Sequence, residues 1–115
     1  MRTTQDLITY CMTFPNVYKD HPFDEQSTVM RHTENQKIWA VFYNHEQGNG
    51  YITVKNKPVD IEFYRDFYQD DVTPAPYFHK NHWNKVNVNG AVRWEEVMDI
   101  IQKSFDLTKP KVRGK

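Results

Sequence analysis

Lys37-Ile38-Trp39-Ala40-Val41-Phe42-Tyr43 is the stretch whose reading decides the fold. Ile38, Ala40 and Phe42 alternate with Trp39, Val41 and Tyr43, so an extended chain here is apolar on both faces. A strand of that kind sits in the middle of a sheet with cover on each side. Upstream, Ser27 to Thr33 alternates Val29 and Arg31 against Thr28, Met30 and His32, and Asn35-Gln36 supplies the turn. Downstream, the polar segment 44–50 closes on Asn49-Gly50, a strong tight-turn pair. Tyr51 to Lys55 then returns as a third strand. The three form an antiparallel meander.

Helical patterns flank the meander. Leu7, Ile8, Cys11 and Met12 draw one apolar stripe and predict a helix over 4–13. Thr3 or Thr4 can cap it, and Gln5 and Asp6 suit its positive N-terminal end. Cys11 lies on the stripe and reads as a small core residue rather than a reactive thiol. Val17 to Phe23 reads as a connection or short edge strand, since Pro22 keeps it out of a sheet centre. Lys57-Pro58 opens a second helix, with Pro58 in its first turn. Val59, Phe63 and Phe67 make one row along it, flanked by Tyr64 and Tyr68. Val72 to Pro76 reads as a loop. A strand from Lys85 to Asn89 follows, alternating Val86 and Val88 with asparagines. Trp94, Val97, Met98, Ile101 and Phe105 predict a last helix over 93–105. The fold class is therefore α+β: an antiparallel sheet, meander plus C-terminal strand, with about three helices packed on it. Residues 1–108 form one domain, and residues 109–115 a basic flexible tail.

Composition limits the function. The 115 residues suit a single domain, and area scaling has such a chain bury about two-thirds of its surface without disulfides. The lone Cys11 fits a reducing compartment. No segment approaches a membrane span and no apolar leader precedes the domain, so a cytoplasmic protein is expected. Lys+Arg and Asp+Glu are both 15, for a formal net charge of zero. Nucleic-acid binders usually carry a basic excess, so such a role needs a local patch. The acids concentrate on the second helix, in Asp60, Glu62, Asp66, Asp70 and Asp71. That face would repel phosphate.

The densest polar–aromatic segment is Tyr77-Phe78-His79-Lys80-Asn81-His82-Trp83-Asn84-Lys85-Val86. His79 and His82 are three apart, which in a loop-and-strand segment points them to opposite faces. No cysteine pair or His-Glu-x-x-His spacing supports a metal. The histidines read as hydrogen-bonding framework, and no metal or cofactor is expected. Asp70-Asp71 reads as solvated surface rather than a catalytic pair. Phosphate-loop, dinucleotide and nucleophile-elbow motifs are all missing, so no enzyme activity is expected. The residues do offer a nucleic-acid surface. Lys80, Lys85 and Lys55, with Lys37, would contact phosphate. His82, with His79, clusters with these lysines. Trp83 and Asn84 would either fix the reading loop or touch bases. Against this stands the plainer assignment of Trp83 as a core anchor and Asn84 as the pin of a turn.

Several segments, in order, resemble the small bacterial MmcQ/YjbR-like proteins. They are Asp20-His21-Pro22-Phe23, Lys37-Ile38-Trp39-Ala40, Val54-Lys55, Tyr77 to Asn84, Val86 to Gly90 and Ser104-Phe105-Asp106-Leu107. The likeness covers roughly residues 4–108. It implies a CyaY-like α+β fold and a DNA-binding role of double-wing type, with double-stranded DNA as partner. It brings no catalytic residues. The alternative is a module that docks a protein or small ligand on the aromatic sheet face.

Overall fold

The computed structural model describes residues 4–22, 27–43, 50–75, 78–88 and 90–110. Its elements run α1 (Thr4–Cys11), β1 (Val17–Asp20), β2 (Ser27–His32), β3 (Ile38–Tyr43), β4 (Tyr51–Lys55), α2 (Pro58–Tyr68), β5 (Val72–Pro74), β6 (Trp83–Asn87) and α3 (Trp94–Thr108). The strands form one sheet in the order β1-β2-β3-β4-β6-β5, and every pairing is antiparallel. The predicted meander is its centre. The Asn49-Gly50 turn lies mostly outside the described residues, as does the tail beyond residue 110. Gly50 itself is described, and its place explains the residue: a Cβ there would meet Thr4 Cγ2 at 2.2 Å.

All three helices bury side chains against one face of the sheet. Leu7, Ile8 and Cys11 of α1, Tyr64 of α2 and Val97, Ile100, Ile101 and Phe105 of α3 share a core with Met30, Ala40, Phe42, Ile52, Val54 and Val86 from the strands. Each such large side chain contributes about 1.5–3 kcal/mol by leaving water. Met12, expected on the α1 stripe, is exposed instead, because the helix ends at Cys11 and the chain turns away. Burial drives the Cys11 thiol well above its usual range, so the buried-core reading of this residue fits.

β3 departs from strict alternation. Met30 pairs with Ala40 and Arg31 with Ile38, so Trp39 is the extra residue of a bulge. The bulge turns Trp39 to the same side as Ala40 and Phe42, not to the side of Val41 as expected. There its ring lies 5.2 Å from Phe14 and 5.1 Å from Phe105. Asn16 and Gln36, both with positive φ, make the turns into β1 and β3. Asparagine tolerates that region better than most residues.

Two further expectations change. Val72–Pro74 is an edge strand, not a loop. It pairs with Val86, Lys85 and Asn84, and Pro74 is tolerated because the strand lies at the sheet edge. α3 continues three residues past Phe105. Its last turn is held from outside the helix: Thr108 Oγ1 donates to the Ser104 carbonyl at 2.8 Å and lies 2.8 Å from Nε2 of buried His32. With the hydroxyl proton given to Ser104, Nε2–H of His32 is the donor to Thr108. Burial lowers the pKa of this imidazole.

Candidate nucleic-acid interface

The second face of the sheet is defined by the register. Val29, Val41, Thr53 and Lys85 stand in one row. Lys55 and Trp83 pair in the next row toward the end of the sheet. The middle of this face is sealed: Ser27, Val29, Val41 and Thr53 are buried. Accessible side chains lie toward the end that carries Lys55, Trp83, the β2–β3 turn and the 79–82 turn.

The sequence-derived residues divide between that rim and the interior. Lys37 is exposed at the β2–β3 turn, and its backbone N–H donates to Asn35 Oδ1 at 3.0 Å. Lys80 and His82 are exposed on the 79–82 turn. Lys55 and Lys85 are half-buried on β4 and β6, and Lys85 Nζ lies 4.5 Å over the Tyr51 ring. Such a contact limits where an ammonium can swing. Trp83 is half-buried rather than core, and its ring packs 4.9 Å from Phe78.

Asn84 is the correction. It is fully buried, so no base edge can reach it. Its Nδ2 donates to Asn56 Oδ1 at 2.9 Å and to the Ile61 carbonyl at 3.4 Å. Its Oδ1 accepts from Arg65 Nε at 2.6 Å. Alternation along β6 causes this: Trp83 and Lys85 face outward, so Asn84 faces the helices. Asn84 fixes the loop and cannot read a base.

Arg65 is the residue that sequence reasoning missed. It is the only cation within α2, and its hydrogen bonds go to the turn before β6 and the start of that strand rather than to the acids of its own helix. Its Nη2 donates to the Lys80 and Trp83 carbonyls. Asn56 completes the clamp by donating its backbone N–H to the His82 carbonyl at 2.9 Å. The one available signal was an arginine alone among carboxylates.

The histidine pair also needs correcting. The amides of His82 and Trp83 both donate to the His79 carbonyl, at 2.9 and 3.0 Å. Residues 79–83 therefore form a helical turn, which brings i and i+3 together. The two rings lie 4.7 Å apart, not on opposite faces. Among the described residues, no group of three or more histidine, cysteine or acidic side chains is placed to hold a metal ion. No helix there is long and apolar enough to cross a membrane. Asp71 is occupied by the fold: it accepts the Ala91 N–H at 2.8 Å and lies where a Cβ on Gly90 would fall.

Charge is sorted between the two layers. The helices carry Asp6, Asp60, Glu62, Asp66, Glu95, Glu96, Asp99 and Asp106 against Arg65 and Lys103. The strands carry Lys19, Arg31, Lys55 and Lys85 against Asp20, which is already bonded to Arg31 at 2.9 Å.

A helical layer on one face of a six-stranded antiparallel sheet, with Lys55 and Lys85 on the other face, defines a small two-layer α+β domain. The chain belongs to the YjbR family, whose family model matches residues 12–107. The fold is similar to that of a Deinococcus radiodurans protein with a DUF419 domain, at TM-score 0.83 and 23% identity, over 93% of this chain and 78% of that one. It is also similar to the crystal structure of a Pseudomonas syringae protein, at TM-score 0.80 and 26% identity, over 94% of this chain and 100% of that one. A solution NMR structure from Pseudomonas syringae matches at TM-score 0.78 and 25% identity, over 99% and 98% of the two chains. No curated protein matches the sequence.

Proposed function

We propose that this chain binds double-stranded DNA through the rim of the second sheet face. Lys37, Lys55, Lys80 and Lys85 contact phosphate, His82 adds a donor at the edge, and Trp83 offers a ring for groove contact. Asn84 and Arg65 hold the loop that presents Lys80, His82 and Trp83. The observation that carries the reading is the sorting of charge. A chain with equal numbers of acids and bases places its helix acids on one layer and its strand cations on the other. A polyanion then meets attraction on one side and repulsion on the other. The proposed role is binding without chemistry and needs no cofactor. The sealed centre of the face limits contact to the rim, so modest affinity is expected.

The test is fluorescence anisotropy of a labelled duplex across a salt series. Four phosphate contacts predict that log affinity falls with log salt at a slope near −3.6, from about −0.9 per contact. Replacing Lys80 and Lys85 by Glu should bring the slope to about −1.8 or shallower. A flat salt response, or no binding near ~50 mM salt, where phosphate contacts are strong, refutes the reading.

A further inference from the structure

The row Val59, Phe63 and Phe67 faces solvent. α2 packs through Ile61 and Tyr64, with the Tyr64 ring meeting Phe63 at 5.6 Å where the buried side borders the row. Val59 is 74% exposed, Phe63 56% and Phe67 68%. The two phenyl rings stack 5.8 Å apart in nearly parallel planes, so the ridge is continuous. Apolar side chains exposed singly are ordinary; here three share one side of one helix, and two of their rings stack. At the N-terminal end of the ridge, Val59 borders a cleft of about 440 Å³ between α2 and the end of α3, lined also by Leu107 and by the charged Lys57, Asp60, Lys103 and Asp106.

Electrostatics decides what can cover this ridge. Along Phe63 and Phe67 its exposed neighbours are Glu62, Asp66 and Asp70, while the cations Lys57 and Lys103 stand at the Val59 end. Arg65 is turned inward onto the Lys80 and Trp83 carbonyls. A second copy of the chain would bring the same carboxylates against these, and like charges across an interface oppose association. Area argues the same way. At ~200 Å² per aromatic ring, the exposed parts of the two phenylalanines offer roughly 250 Å², about a third of the ~800 Å² per partner in a stable interface. A small partner with apolar teeth and positive flanks satisfies both limits.

We propose that the outer face of α2 docks a short, basic amphipathic helix of another protein, with its apolar residues over Val59, Phe63 and Phe67 and its lysines or arginines beside Glu62 and Asp66. This is the helix-to-apolar-surface mode of peptide recognition. The surface is the outer side of α2, the helix whose Arg65 holds the Lys80 and Trp83 carbonyls from its other side.

The probe is a designed leucine–lysine amphipathic helix, with the same helix carrying glutamate for lysine as its counterpart. Binding is followed by NMR on isotope-labelled protein. The lysine helix should bind with shifts centred on α2, and the glutamate helix should not. Phe63→Ser with Phe67→Ser should weaken binding by roughly tenfold or more, as loss of interface anchors does, while the urea unfolding curve stays in place. Glu62→Lys with Asp66→Lys should do the same, and Lys55→Glu with Lys85→Glu should leave binding unchanged. Equal binding of both helices, no binding, shifts centred away from α2, or indifference to the phenylalanines overturns the proposal. So does a dimer by sedimentation that Phe63→Ser dissociates, since the occupant would then be a second copy.

Discussion

Replacing Asn84 with Ala separates a residue that builds the loop from one that touches a ligand. The substitution leaves two polar groups without partners. Asn56 Oδ1, on a buried side chain, loses a 2.9 Å bond, and stranding such a group costs about 1–3 kcal/mol. Arg65 Nε loses a 2.6 Å bond. Bonds to a charged group contribute about 1.5–3 kcal/mol, here at the lower end because Arg65 keeps the Lys80 and Trp83 carbonyls. The two losses come to about 3 kcal/mol, a large share of the ~5–15 kcal/mol of a typical domain. With a urea slope of about 1.5 kcal/mol/M, the unfolding midpoint should fall by about 2 M with the slope unchanged. A double-mutant cycle with Arg65→Met and Asn84→Leu should show a coupling of about 0.5–3 kcal/mol, because removing both partners together strands fewer groups. An Asn84→Ala protein as stable as the parent to within about 0.5 kcal/mol, the range of ordinary surface changes, refutes the clamp.

Two further outcomes follow from particular side chains. Burial holds His32 below its ordinary pKa of 6.5, so the unfolded chain binds a proton there more readily than the folded one. Stability from this group is present above pH 6.5 and is lost as pH falls through the folded value. Thermal melts should drop between neutral and acidic pH, and His32→Leu should flatten that dependence; an unchanged slope would contradict it. Trp83→Ala should destabilise by about 1–2 kcal/mol, below the ~3–5 kcal/mol of a core tryptophan, because the ring is half-buried. In the anisotropy assay the same variant should bind the duplex more weakly, as loss of an apolar groove contact does; full affinity would remove Trp83 from the interface.

The parts of this fold legible in sequence are those set by neighbours in the chain. β3 betrays its central position because both faces are apolar, and α3 shows its buried side through Val97, Ile101 and Phe105. β5 was hidden because three residues ending in proline carry too little periodicity. The bulge at Trp39 was hidden because it depends on how β2 pairs with β3. The α2 row shows where periodicity stops informing: it says that Val59, Phe63 and Phe67 share a side, not whether that side meets the core. At the candidate site, the lysines were legible as exposed cations. The roles of Asn84 and Arg65 were not, since they are set by contacts with elements 15 or more residues away, as Arg65 with Lys80 at 15.

The separation of charge between layers has a consequence that net charge conceals. A body with no monopole but displaced positive and negative centres carries a permanent dipole moment, and the charges within the described helices and strands contribute one that runs from the helices to the sheet. In the field of a nearby polyanion such a body feels torque before it feels contact. The chain would arrive at a duplex already rotated, sheet rim leading. Salt would erase that alignment beyond a Debye length of about 8–10 Å. Orientation during approach, rather than attraction from afar, is what a neutral molecule of this build can gain from electrostatics.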